Sequence, residues 1–568
     1  MQTNGFIFLS EILEVMSSTS IFCVQWAQLS GRIAVPFILI GWLTISSATA
    51  HAVPPGEVAV VPPMKMKAVQ EYLTWRGGAA FRNLSSAHIS GSVVDGGLTG
   101  TKEIWMTRHG LYCEHEDVDS FQTSVAVSEH DGWRTNLSGQ VITLSNSEST
   151  TKRRESALLF AGIFAGEMHA IVSARPDESY DKALWHVFRV SFGDDDAFDF
   201  FIRPSSGELG AIRMTEDRRS RLVVYSDWKT VQGVQQPFTQ KVESANEASQ
   251  TDLHIRDVVP NVEFPIVLLN RPDDLVQVTF SSASNSSGWI DFKFVDSKRV
   301  FIPARVNGRE SMLLLDSGAE TTVLGHEVAD GAGIRCSGQI GMQGAGGSDV
   351  AALCKGVSIQ LGNATIGNIV ATELDLDAVG RVVGIPIAAI LGQEIFNALV
   401  VDIDFDKRKI AFIAHSSFNV PEGAQRVALK PVSGNRVLDI SVEGKPPIPV
   451  FFDLGNGSPL DLFPSYWQRQ HLLANRAHED SQTGGAGGKK PVIVATLARV
   501  SLANFTFQNV PTNFTAEAAT TENSNLVKGN LGMPIYSRFR LVTDYAADAL
   551  YLLPDPKVFS NPFQSSAR

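Results

Sequence analysis

Between Met64 and about Phe280 the chain advances in short runs in which apolar and polar residues alternate, among them His88–Val94, Glu103–Arg108, His186–Phe192, Phe198–Pro204 and Arg221–Trp228. A period of two puts successive side chains on opposite faces of an extended backbone. Gly, Asp and Asn between the runs supply turns, so this region is predicted as antiparallel sheet. Met66–Trp75 and the neighbourhood of Leu158–His169 are dense in apolar residues without strict alternation and are predicted as helices. The polar stretch Ser281–Gly288 has linker composition, and beyond it the β pattern continues with more glycine.

That second part of the chain repeats itself. ARVNGRESMLLLDSGAETTVL, beginning at Ala304, and ISVEGKPPIPVFFDLGNGSPLDLF, beginning at Ile440, each read as strand, Gly-containing turn, and apolar strand ending in Asp-x-Gly. Asp316 precedes Gly392 by 76 residues, and Asp453 precedes Gly532 by 79. After those glycines, Phe396 and Tyr536, Asp404 and Asp544, and Ile410 and Leu550 fall at equal offsets without a gap. Shared offsets bracketed by matching motifs argue for an internal duplication. A third Asp-Gly, at Asp95-Gly96, lies outside the repeat and is read as a hairpin turn.

A length of 568 residues allows three or four core-bearing units. The formal net charge of −12 lacks the excess of Lys and Arg that phosphate binding needs, so nucleic acid is excluded as a partner. The apolar run Ile33–Ile45, preceded by Arg32 and followed by small residues to Ala52, has the layout of a signal peptide, a retained membrane anchor being the alternative. Cys336 and Cys354 could pair in an exported chain or stay as two buried thiols, a choice that sequence leaves open. The acidic cluster Glu114, His115, Glu116, Asp117 and Asp119 has no metal-ligand spacing and is read as a solvated turn.

Leu313-Leu314-Leu315-Asp316-Ser317-Gly318-Ala319, followed by Ile390-Leu391-Gly392, resembles the retropepsin-type aspartic protease signature. The resemblance implies two lobes about a pseudo-twofold axis, each delivering one aspartate, here Asp316 and Asp453, to a shared floor. Two carboxylates in hydrogen-bonding reach share one proton, so one serves as base toward water and the other as acid toward the scissile carbonyl. Gly318 and Gly455 allow close backbone approach, and Ala319 leaves access to Asp316. The resemblance gives the Ser317 hydroxyl a bracing role and makes Gly341–Gly347 and Gly484–Gly488, with Gly344, Gly346 and Gly485, flap segments. The second motif departs from the pattern, because Leu454 has no hydroxyl and Asn456 replaces a small residue.

The N-terminal runs YLTWRGG, GLTGTKEIW, DGWRTNLSG and YSDWKTVQG, with Trp75, Trp105, Trp133, Trp185 and Trp228, are similar to the LolA-like half-barrel of lipoprotein carriers. That resemblance implies a curved sheet around an apolar interior able to hold a hydrophobic ligand, whereas the tryptophans read by themselves simply fill a core. The expected architecture is mainly β: a signal peptide at 1–52, a LolA-like curved antiparallel sheet with helices at 53–285, and two tandem retropepsin-like β-barrel lobes at 286–416 and 417–568, paired as in pepsin-like enzymes. The expected function is an exported, monomeric aspartic endopeptidase acting on peptides or proteins without a cofactor. The alternatives are an inactive pseudo-protease that binds peptide or lipid, and an enzyme pairing Asp316 with that of a second copy.

Overall fold

The computed structural model describes residues 66–563 apart from short gaps at 120, 194–195, 205, 217–218, 244–249, 433 and 517–525. The expected signal peptide lies outside the described residues. Among those described, no helix is long and apolar enough to cross a membrane.

The N-terminal runs form one large antiparallel sheet whose strands follow one another largely in chain order, closed in the middle by Thr251–Pro260 returning to Ser86–Asp95. Alternation sorts its faces. Tyr112, Val127, Phe188 and Phe200 join an aromatic core with Tyr72 and Phe81, whereas their chain neighbours Cys113 and Ala126 pack with Trp133 and Phe264, and Val187 and Phe201 pack with Trp185. Trp75 and Trp228 meet edge to face at 4.7 Å, and Trp105 stacks on His88 at 3.9 Å. The first expected helix is present at Lys67–Trp75.

The second expected helix lies elsewhere. Asn146–Ala157 is helical, opened by a capping box between Ser145 and Glu148, while Ala161–Ala165 and Glu167–His169 are 3₁₀ turns. The apolar density at Leu158, Phe160, Ile163 and Phe164 reflects burial in the aromatic core rather than helical periodicity. The Asp95 hairpin is present as expected, and one smaller correction concerns the acidic cluster. The acidic cluster is the strand Tyr112–Val118, where Glu114 and Glu116, two residues apart on one face, hold Lys102 at 2.8 and 2.7 Å. The Asp95 hairpin turns on Gly96 and Gly97, both at positive φ, with Asp95 the last strand residue, paired to Leu98.

Each copy of the repeat closes six strands into a ring. In the first the order is Arg299–Val306, Arg309–Leu315, Ala389–Leu391, Val323–Gly325, Ala364–Leu374 and Gly347–Leu361, which returns to the first strand. In the second it is Asn435–Val442, Ile448–Phe452, Gly529–Leu531, Leu460–Leu462, Phe505–Thr515 and Gly488–Leu502. The parallel pairs fall at the same two places in both rings, so the duplication extends to hydrogen-bond topology. A separate six-stranded sheet joins the copies through Val400–Asp404 and Phe539–Asp544, where Arg540 grips the buried Asp402 with bonds of 3.0 and 2.7 Å.

The N-terminal sheet is keyed to the first ring. Gly96 accepts a hydrogen bond from Gln339 at 2.8 Å, Lys355 lies 3.8 Å over the Phe121 ring, and Leu353 is buried in the N-terminal core. Gln277–Phe280 pairs with Ala364–Leu374 of the ring.

Candidate active site

Alternation along Arg309–Leu315 sends Leu313 and Leu315 into the main core and Leu314 into a second cluster with Phe301 and Val323, against which Met342 and Ala486 pack. The strand ends at Asp316, whose N–H is held by the Leu391 carbonyl at 3.1 Å; in the second copy the Asp453 N–H is held by Leu531 at 3.2 Å. The parallel strand behind each aspartate thus fixes where it leaves the sheet.

The two aspartate loops interlock. A methyl group built on Gly455 would lie 2.3 Å from the Asp316 carboxyl carbon, and one built on Gly318 would lie 2.9 Å from that of Asp453. Only glycine lets each carboxylate reach across the partner loop. The Ser317 hydroxyl ties the loops together, donating to the Phe452 carbonyl at 3.1 Å and accepting from the Leu454 N–H at 2.9 Å. Leu454 is fully buried and offers no reciprocal brace. Instead Gln393 donates to the Ser317 carbonyl at 3.1 Å and to Asn435 of the second copy at 2.8 Å.

The carboxylates have unequal partners. Asp453 accepts from the N–H groups of Gly455 and Asn456 at 2.8 and 3.0 Å, and from the Asn530 amide at 2.7 Å. Asp316 accepts from the Gly318 N–H at 2.8 Å. Burial, then the charge of Asp453, raises the pKa of Asp316 well above the ordinary carboxylate range. Burial beside a second carboxylate favours the protonated form of Asp316.

Behind Asp453 lies a polar network that the first copy lacks. Asn456 and Asn513 donate to Asp461 at 3.0 and 2.6 Å, and Asn456 accepts from the Ser458 N–H at 2.9 Å. Burial pushes Asp461 up to about 7 against these donors. Asn530 pairs across the strands with Asp461, whereas the corresponding pair in the first copy is Ile390 with Val323. Alignment of the two repeats already sets Asn530 opposite Ile390, two residues before each glycine, and that was the signal available in sequence.

The glycine-rich segments are the tips of two hairpins, Cys336–Gly344 with Gly347–Leu361, and His478–Gly485 with Gly488–Leu502. Gly344 pairs with Gly347 and Gly485 with Gly488, and the tips touch: Gly346 N–H donates to the Ala486 carbonyl at 2.8 Å. Any side chain at Gly344 or Gly346 would strike the opposite backbone. Cys336 and Cys354, directly opposite in the first hairpin, are joined in a disulfide. Ala319 accepts from the Gln393 N–H at 2.9 Å.

The sequence model of a family described as aspartyl protease matches residues 302–395, a span that includes Asp316 and Gly392 and stops before the second copy. No curated protein matches the chain. Similar solved structures include a LolA superfamily protein from Nitrosomonas europaea, 13% identical with a TM-score of 0.27 over 35% of this chain and 96% of that one. A DUF1329 family protein from Desulfovibrio piger is 12% identical, with a TM-score of 0.28 over 37% of this chain and 98% of that one.

Proposed function

We propose that this chain is an exported aspartic endopeptidase in which Asp316 and Asp453 activate one water molecule. The observation that carries the reading is the reciprocal seating of each carboxylate against the other loop's glycine, at Gly455 and Gly318. Asp453, held by three donors, is the base that takes a proton from water as the oxygen attacks the peptide carbonyl. Asp316 holds the shared proton and gives it to the carbonyl oxygen, leaving a tetrahedral gem-diol. No covalent link to the enzyme forms. Collapse returns a proton to the leaving nitrogen and resets the pair.

The raised pKa of Asp316 keeps the singly protonated pair to higher pH than an isolated carboxylic acid would. The touching hairpin tips must part to admit a peptide, and tips built only of glycine and alanine carry little side-chain bulk to obstruct that movement. A statine-type mimic of the gem-diol should inhibit cleavage competitively and lose affinity in Asp316→Asn. Cleavage indifferent to the mimic would count against the dyad.

A second reading, a non-catalytic peptide-binding protein, draws on Leu454, which leaves the brace between the loops one-sided. It requires peptide binding with no turnover at any pH.

A further inference from the structure

Arg299 opens the first strand of the first ring and lies two residues before Phe301, on the same face of that strand. Phe301 belongs to the apolar cluster with Leu314, against which Met342 of one hairpin and Ala486 at the tip of the other pack. The half-buried guanidinium therefore continues the wall between the aspartates and the hairpins. It lies against the Asp453 loop: a methyl group on Gly457 would sit 3.3 to 3.4 Å from its terminal nitrogens and central carbon.

Among the described residues the guanidinium has neither a hydrogen-bond nor an ion-pair partner, and its charge is felt by Asp296, Asp316 and Asp453. The duplication shows what is missing. Four residues after Asp316 the first copy carries Glu320, whereas four residues after Asp453 the second copy carries Gly457. Where the first copy offers a carboxylate, the second leaves a gap beside an arginine. On the opposite side the N-terminal strand Gly132–Thr135 sends Arg134 toward Gly434, close to Glu320, so that side has both charges. The site is asymmetric, with a cation beside the Asp453 loop that makes no hydrogen bond or ion pair among the described residues.

A half-buried guanidinium whose N–H donors are unused is a ready partner for a carboxylate, which it binds with two parallel hydrogen bonds. We propose that Arg299 is a substrate-binding residue that takes a carboxylate of the peptide, either an Asp or Glu side chain within a few residues of the scissile bond or the peptide's own C-terminus. This inference rests on the endopeptidase reading for its place in the reaction, since substrate must lie along the wall that Arg299 ends.

The test uses the full chain and peptide pairs that differ only by Glu against Gln, moved residue by residue past the cleaved bond, each made with a free and an amidated C-terminus. The expected result is a kcat/KM at least about tenfold higher for Glu at one position. That ratio falls to near one in Arg299→Gln, persists in part in Arg299→Lys, and turns toward Lys peptides in Arg299→Glu. A preference that survives amidation assigns the side chain, and one that vanishes assigns the terminus. Cleavage with no Glu preference, or a preference unchanged in Arg299→Gln, overturns the proposal. Fluorescence anisotropy with Asp316→Asn separates the two claims. If nothing is cleaved but Glu peptides bind more tightly than Gln peptides and Arg299→Gln removes the difference, the endopeptidase reading falls and the Arg299 assignment stands.

Discussion

Replacing Asp453 with Asn tests whether the two carboxylates act as one unit, independently of any turnover. The side chains of Asp316 and Asp453 are within hydrogen-bonding reach, and the charge of Asp453 is the largest contribution after burial to the raised pKa of Asp316. Two unit charges about 4 Å apart interact by about 4 kcal/mol at an effective dielectric constant of about 20. At about 1.4 kcal/mol per factor of ten, removing one charge should weaken proton binding by Asp316 about a thousandfold. Wild-type Asp316 should still carry its proton near neutral pH, and in Asp453→Asn it should ionise under clearly more acidic conditions. Infrared difference titration reads this through the carboxylic-acid carbonyl band, assigned to Asp316 by its loss in Asp316→Asn. A band that titrates identically in wild type and Asp453→Asn would refute the coupling, and with it the shared proton that the mechanism requires.

Ser317→Ala should lower stability in urea by about 2 to 4 kcal/mol, because the Phe452 carbonyl and Leu454 N–H lose their bridge inside the core, while Ser317→Thr should keep most of it. Glu394 is fully buried and accepts from Thr322, and burial raises its pKa to about 7. Below pH about 4 it is protonated both folded and unfolded. As pH rises the unfolded chain ionises first, so stability should fall by up to about 3 to 4 kcal/mol toward pH 7, a slope that Glu394→Gln should flatten in urea titrations across pH. The Cys336–Cys354 bridge closes an 18-residue span, and replacing both with Ser should cost about 3 kcal/mol, read as a lower melting temperature.

What the sequence made legible followed from repetition. Asp316 and Asp453 stood out from the decoy at Asp95 because each sits in a copy of one pattern, and the two rings share that pattern down to their parallel strand pairs. Local signals conflicted elsewhere. The helix Asn146–Ala157 buries only Thr151, Ser156 and Ala157, so its polar sequence carried no apolar stripe, although Ser145 and Glu148 spelled a capping box. Asp461 and Asn513 were invisible because their partners lie across strands 52 residues apart, a pairing that only the ring creates. Arg299 is an ordinary strand-opening arginine in sequence; its meaning depends on Gly457, brought beside it by the packing of the second copy.

The most direct test of the central claim is cleavage of an unbiased peptide library from pH 3 to 8 by the purified chain, with Asp316→Asn and Asp453→Asn assayed alongside. Specific cleavage by the wild type, abolished by either substitution, is the expected result. Cleavage that survives Asp453→Asn, or a wild type that cleaves nothing while still binding peptides, would contradict an intramolecular aspartate pair.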